Sequence, residues 1–478
     1  MQAGFAIADI TPPLGREVPG SLSKRYSTTI HDPLWASAAV FDDGQTRVAL
    51  VGLDALSVRR STVLAARKMI EERCGIPGEN VMVGCSHTHN GGPTMGAYPG
   101  EFARAFDPEL CERLAQEHAS AADPEYMHEL GEQIATAVIL ADQRKQPALL
   151  AVGRGSEPTV AFNRRFKMKD GTQMTHPGKG NPDIVEPAGP VDPEVGVLSA
   201  WAPDGTFLGA VVNFACHGTV FSGGISADWP YWMRSLITRA LNPEATVVFL
   251  NGACGDITQV NNLSMQEPEF GEKWARRVGH KVGAEALKVL ADAEPGETGP
   301  VARASKIIRI KTREVSEERF RAALQMVRNT PPSSSGEWVF ARDEVLLHES
   351  NRWEPEVTCE VQAIQVGPAA YVANPSEYFC AFGLDIKARS QFPYTWVVEL
   401  ANGCIGYVPT PDAMGPHGGG YEPRLAMSSK LVPEAGQMIA DTSVELLSQL
   451  TPGPEPPRPT VQQPGKPWGW GSSKAEKV

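Results

Sequence analysis

Val81-Met82-Val83-Gly84-Cys85-Ser86-His87-Thr88-His89-Asn90-Gly91-Gly92 begins as an apolar run and ends in two histidines one residue apart, followed by a small-residue turn. The run has the length and composition of a buried strand. Side chains at i and i+2 of a strand share a face, so His87 and His89 are expected in one pocket at its C-terminal end. Upstream, Val48 to Leu53 reads as another strand with Asp54 at its end, and Thr62 to Arg73 as a helix with Ser61 as N-cap. Strand, helix and strand in this order make a βαβ crossover, which brings Asp54 and His87 to the same edge of a parallel pair. The fold class that follows is α/β: a mixed, partly parallel sheet flanked by helices, with a metal site at strand C-terminal ends. By itself the His-x-His leaves three readings open. Both imidazoles bind one metal, or one binds metal and the other faces substrate, or both are held by loop backbone.

The same logic recurs along the chain. Leu208 to Phe214 is an apolar run closed by Ala215-Cys216-His217-Gly218, and Thr246 to Leu250 leads into Asn251-Gly252-Ala253-Cys254-Gly255-Asp256. Glu360 to Val366 and Tyr371 to Asn374 form a strand pair ending in Pro375-Ser376-Glu377, and Trp396 to Leu400 precedes a loop that reaches Tyr407. Four strand ends thus deliver His87 with His89, His217, Glu377 and Tyr407 to one edge. Two imidazoles and a carboxylate suit a hydrolytic zinc site. Asp54 and Asp228 are candidates to orient imidazoles or to cap local turns.

Between these motifs, helices are expected at Tyr126 to Leu140, from Trp229 to about Ala240, at Trp274 to Leu290, Ser316 to Val327, Phe379 to Ala388 and Pro433 to Leu447. Residues 101 to 128 read as an acidic, helical surface excursion with little apolar face. Thr159 to Phe162 is strand-like, and Lys169 to Pro190 reads as a long polar loop, a candidate lid. Residues 1 to 451 form the expected hydrolase domain, and 452 to 478 a Pro/Gly-rich extended tail anchored by Trp468 and Trp470.

Composition narrows the function. The 478 residues carry a formal net charge of −12, which disfavours nucleic acid or an anionic membrane as the main partner and leaves a small-molecule substrate. No apolar run reaches the roughly eighteen residues of a membrane span, so stable membrane insertion is not expected. The first ten residues read as a strand rather than a secretory signal, which makes the cytoplasm the expected location. The eight cysteines contain no C-x-x-C, and Cys85, Cys216, Cys254 and Cys404 read as small buried thiols. Nothing in the sequence addresses oligomeric state.

The ordered motifs Ala8-Asp9-Ile10-Thr11, Ser86-His87-Thr88-His89-Asn90-Gly91, Asn163-Arg164-Arg165, Phe214-Ala215-Cys216-His217, Gly255-Asp256-Ile257-Thr258-Gln259, Ser376-Glu377-Tyr378 and Tyr407-Val408-Pro409-Thr410 with Tyr421-Glu422 span most of the chain. Together they resemble the catalytic domain of neutral ceramidases, whose corresponding segments read A-D-I-T, T-H-T-H-S-G, N-R-S, F-A-x-H, G-D-x-S-P, G-E-F and Y-[VI]-T-T with Y-E. The resemblance implies Zn2+ held by His87, His217, Glu377 and Tyr407. It implies that His89, Arg164 and Tyr407 serve catalysis and that Tyr421 meets the substrate, with Thr258, in the place of the motif's serine, a further substrate-binding candidate. Departures fall on the substrate side: Asn90, Thr258, Gln259, Pro409 and Arg424. Nothing after Thr451 is expected to form the family's C-terminal β-sandwich. The activity implied is hydrolysis of an amide bond, and the mostly polar departures with the acidic composition point to a small soluble N-acyl compound rather than ceramide. Three alternatives are a true ceramidase, a non-catalytic protein that keeps the fold, and an amidohydrolase barrel with His87 and His89 chelating one metal.

Overall fold

A computed structural model describes residues 1–221, 223–456 and 465. Three sheets organise it. The first has five strands in the order Val81–Cys85, Arg47–Leu53, Trp35–Asp42, Gln2–Asp9, Gln146–Pro147. The second runs Thr246–Asn251, Phe207–Phe214, Glu194–Trp201, Leu149–Ser156, and the third Val301–Lys311, Glu356–Val366, Ala369–Ala373, Tyr394–Val398. Each contains one parallel pair: Arg47–Leu53 with Val81–Cys85, Phe207–Phe214 with Thr246–Asn251, and Ala369–Ala373 with Tyr394–Val398. The mixed α/β class expected from the crossover is the one observed.

The inner faces of all three sheets share one core, in which Phe5, Phe41, Leu50 and Met82 meet Leu198, Val248 and Leu250, and these meet Ile364, Tyr371 and Trp396. Helices cover the outer faces. Pro124–Gln143 shows why such helices form: Asp123 accepts from the N–H groups of Glu125 and Tyr126, proline opens the first turn, and Tyr126, Leu130, Ile134 and Val138 line one buried face. It packs with Arg60–Cys74 on the first sheet. Trp229–Leu241 and Glu272–Asp292 pair on the second sheet, and Cys380–Arg389 and Ala435–Ser448 on the third.

Backbone hydrogen bonds lock the C-terminal ends of the parallel pairs together. Cys85 donates to the Leu400 carbonyl at 3.3 Å, Asn402 to Val83 at 2.8 Å and Glu399 to Asn251 at 3.1 Å. The segment that follows Tyr394–Val398 thus ties the strand ends that carry the chemistry to one another.

Several local expectations are corrected. The helix Arg60–Cys74 starts after Arg59 without a side-chain cap, so Ser61 is not its N-cap. Within 101–128 the helix Pro108–Gln116 does have an apolar face: Leu110, Cys111 and Leu114 pack against Trp338 and Val345. Lys169–Pro190 is not a structureless loop, because Gln173–Thr175 and Ile184–Pro187 flank Arg165–Met168 in a small sheet. Of residues 159–162 only Phe162 pairs as strand, and it does so together with Asn163 against Thr258 and Ile257. The helix Gly336–Asn351 escaped the sequence reading because Arg342, Asp343, Glu344 and Glu349 are buried together with its apolar residues, so no amphipathic period marks it. All eight cysteines are free thiols; Cys85, Cys216 and Cys254 are buried, whereas Cys404 is exposed. The three separate sheets leave no place for an eight-stranded barrel among the described residues, which removes the amidohydrolase alternative. Trp468 and Trp470 lie outside the described residues.

Candidate metal centre and its arginine wall

His87 and His89 do converge, but not by strand alternation. The strand ends at Cys85, and His87 takes a left-handed backbone with φ 61°, a conformation that costs energy in any residue other than glycine. Its N–H donates to Ala55 at 3.0 Å and that of His89 to Gly218 at 2.9 Å, so two neighbouring chain segments hold the turn. The ring of His87 then lies 4.8 Å from that of His89 and 4.4 Å from that of His217.

Two backbone carbonyls orient the first two imidazoles. Nδ1 of His87 meets Leu56 O at 2.9 Å and Nδ1 of His89 meets Gly20 O at 2.8 Å. A carbonyl only accepts, so both Nδ1 atoms carry hydrogen and both Nε2 atoms turn inward, 3.3 Å apart. Gly20, at φ 92°, permits this approach, since a Cβ there would stand 2.5 Å from the His89 ring. Neither aspartate proposed for orientation touches an imidazole. Asp54 holds the Trp35 N–H and Arg234, and Asp228 accepts from Val220, Phe221 and Trp229, capping the helix that Trp229 begins.

Glu377 enters from the third sheet. It opens a two-residue strand parallel to Tyr407–Val408, which places Glu377 and Tyr407 side by side. Its Oε2 lies 3.3 Å from His87 Nε2 and 3.6 Å from His217 Nε2. Burial opposes a charge on Glu377, but His87 and His217 outweigh it and hold the carboxyl well below its usual range. Burial likewise opposes a proton on His87, and Glu377 outweighs it and raises the imidazole. His217 is driven well below its ordinary value by burial, then by Arg164 and His87, and is neutral. Burial and His87 push His89 down to about 3.

Both ring nitrogens of His217 and Oε2 of Glu377 are buried without a hydrogen-bond partner among the described residues. Such atoms are costly unless something fills the gap between them. The ligand atoms of His87, His89 and His217 all lie within 4.8 Å of one another, a group able to hold a metal ion. Neutral imidazole at His217 and His89 and ionised carboxylate at Glu377 are the states a divalent cation requires.

Opposite stands a wall of a different character. Arg164, buried, donates from Nε to Glu422 at 2.9 Å and from Nη2 to Gly255 O at 2.6 Å and the Tyr407 hydroxyl at 3.2 Å. Its Nη1 donates to no described protein atom. Burial works against its charge, but the phenols of Tyr421 and Tyr407 and the carboxylate of Glu422 outweigh this and keep the guanidinium firmly protonated. Tyr421, 40% exposed, lies over Arg164 at 5.2 Å with its ring 5.9 Å from that of Tyr407. His87, His89, His217, Glu377, Arg164, Tyr407 and Tyr421 thus come together here, whereas the Thr258 hydroxyl is taken up by Gln259. Among the departures, Asn90 donates to Phe221 O, Gln259 to Thr219 O, and Arg424 pairs with Glu337 on the surface. Arg165 and Glu422 were quoted within motifs, yet nothing in the sequence marked them as a buried pair.

No family model matches the sequence, and no curated protein matches it. Solved structures do. A ceramidase complexed with C2 aligns over 97% of this chain and 77% of its own, with TM-score 0.69 and 18% identity. The neutral ceramidase from Pseudomonas aeruginosa aligns over 97% and 76%, with TM-score 0.68 and 21% identity. The chain carries the neutral ceramidase fold. On that neutral ceramidase fold, the histidine cluster lies where the C-terminal ends of all three sheets are fastened together.

Proposed function

We propose that this chain is a zinc-dependent hydrolase of an amide bond, acting on a small, water-soluble N-acyl or related compound. The observation that carries the reading is the set of inward-facing, unpartnered atoms on His217 and Glu377 beside His87 Nε2. His87, His217, Glu377 and Tyr407 are the residues that would hold zinc. When bound, zinc supplies a Lewis acid and lowers the pKa of a coordinated water toward neutrality.

The remaining steps belong to the chain's own groups. His89 is neutral, and its Nε2, turned inward 3.3 Å from His87 Nε2, would take a proton from the attacking water and return it to the leaving amine once His87 is engaged by zinc. Arg164 Nη1 has N–H groups left over to meet the oxyanion that develops on the scissile carbonyl, with the Tyr407 hydroxyl beside it. Tyr421 lies over Arg164 at the exposed side, where the substrate enters. A guanidinium and two phenols next to the scissile position favour a substrate with hydrogen-bond acceptors close to its carbonyl, and this supports the soluble N-acyl class.

The structural likeness to ceramidases favours the rival substrate, ceramide. Short-chain ceramide and a panel of soluble N-acyl compounds assayed side by side at equal zinc occupancy decide between them. The highest kcat/KM on a soluble compound is the expected result. The highest value on ceramide would make the protein a ceramidase, and no turnover of any amide at full occupancy would make it a binding protein.

A further inference from the structure

Arg165 stands where the resembling motif has serine, and its side chain is among the most deeply buried in the molecule. It does not face the metal pocket. Its Nη1 donates to Glu422 Oε2 at 2.8 Å and to the Thr175 hydroxyl at 3.3 Å, and its Nη2 to Gln173 Oε1 at 3.0 Å and to the Gly419 carbonyl at 2.6 Å. Glu422 is fully buried between two guanidiniums: the other oxygen takes Arg164 Nε at 2.9 Å, and Thr175 donates to the oxygen that Arg165 holds.

The segment so gripped has almost no side chains of its own. Gly418, Gly419 and Gly420 precede Tyr421, and a Cβ on Gly420, at φ 91°, would fall 2.5 Å from Arg165 Nη1 and 2.2 Å from the Thr175 hydroxyl. Bare backbone therefore closes directly onto the guanidinium. A run of three glycines is pliable when free, because it has the largest conformational freedom to lose. Gly418 N–H donates to Gly415 O at 2.9 Å and Gly419 N–H to Ala413 O at 3.2 Å, which tie the run back to the preceding turn, and the bond from Arg165 to the Gly419 carbonyl and the anchoring of Glu422 tie it to the site on either side of Tyr421.

We propose that Arg165 is a positioning residue that latches the Gly418–Glu422 strap onto the floor of the site. Through Glu422 it sets the plane of Arg164, and through Gly419 it sets the place of Tyr421 against the substrate. The inference rests on the reading of Arg164 and Tyr421 as substrate contacts. Planar, two-pronged donation is a property of arginine that lysine shares only in part, so Arg165→Lys keeps a charge for Glu422 and loses the grip on Gly419.

The test compares wild type with Arg165→Ser, Arg165→Lys and the milder Thr175→Val, in zinc-loaded full-length protein. Three quantities are read: zinc content, hydrogen exchange of residues 415–424, and kcat and KM on the best amide of the panel. Arg165→Ser is expected to keep zinc, to speed exchange in 415–424 by about tenfold or more, and to lower kcat/KM about 10- to 100-fold. Most of that loss falls in kcat, because donors to an oxyanion act in the transition state. Arg165→Lys recovers part of it, and Thr175→Val moves the same quantities less. Unchanged exchange in 415–424 overturns the latch whatever the activity does. Loss of zinc together with activity also overturns it, by making Arg165 a structural support of the metal pocket. If wild type hydrolyses no amide, the proposed function fails, while the exchange of 415–424 still decides the latch.

Discussion

Two buried glutamates face each other across this site, and they are treated in opposite ways. Glu377 meets histidines and keeps one oxygen unpartnered; Glu422 meets two arginines and a threonine and has both oxygens bonded. Histidine can give up its proton to a competing cation, whereas arginine cannot be deprotonated in a protein. The histidine side is thus an exchangeable site and the arginine side a permanent scaffold. Chemistry that needs a removable cation and a fixed hydrogen-bond donor would find a place for both within one pocket.

The largest expected effect tests the exchangeable side. His87→Ala, His217→Ala and Glu377→Gln should each leave folded protein without stoichiometric zinc and without activity, and elemental analysis after dialysis against a chelator reads this directly. Full zinc in any of the three removes that residue from the ligand set. His89→Asn comes next: zinc should stay while the rate falls about 10²- to 10⁴-fold, the usual contribution of acid–base catalysis. Zinc lost with the rate would instead make the three histidines the ligands.

The third experiment sets the two glutamates against each other in metal-free protein. Glu422→Gln leaves two buried guanidiniums short of their counter-charge and should cost about 3–5 kcal/mol in urea unfolding. Glu377→Gln leaves only a histidine that can shed its proton, so a cost of about 1 kcal/mol or less is expected. Equal costs would erase the distinction between scaffold and exchangeable site.

Behind the histidine wall, Asp228 gives an effect that is spread over pH. Burial pushes its carboxyl up to about 7 despite three backbone N–H donors. Between its usual value of 3.8 and about 7 the folded state holds a proton that the unfolded state lacks. Stability should therefore fall as pH rises through that window, on the order of 1 kcal/mol per pH unit, and level off above it. Burial also raises Glu399 to about 7 and Asp256 to about 6, so Asp228→Asn should lessen the slope between pH 5 and 7 without removing it, and an unchanged slope would rule Asp228 out as a source.

Much of this architecture is legible in the chain itself, because apolar runs such as Val81–Cys85 and Phe207–Phe214 are strands buried on both faces and end in conspicuous histidines. The convergence of His87 and His89 was expected, though through the wrong geometry: a strand period was read where a left-handed turn does the work. Three features stayed hidden for physical reasons. The helix Gly336–Asn351 buries charged residues and so breaks its own period. Gly20 reaches His89 across 69 positions, a contact no local pattern encodes. Arg165 and Glu422 look like surface charges until the fold, 257 residues apart in sequence, places them face to face.

Those long separations bear on how the protein comes to be made. Arg164 meets Glu422 across 258 residues and Tyr407 across 243, and Asn251 reaches Ser86 across 165. Ordering a long loop costs entropy before any such contact rewards it, and topologies rich in distant contacts fold slowly. Helices such as Pro124–Gln143 close through neighbours and can form early, while the pocket requires the first and last thirds of the chain to have met. On refolding, helical signal should therefore return well ahead of the capacity to take up zinc.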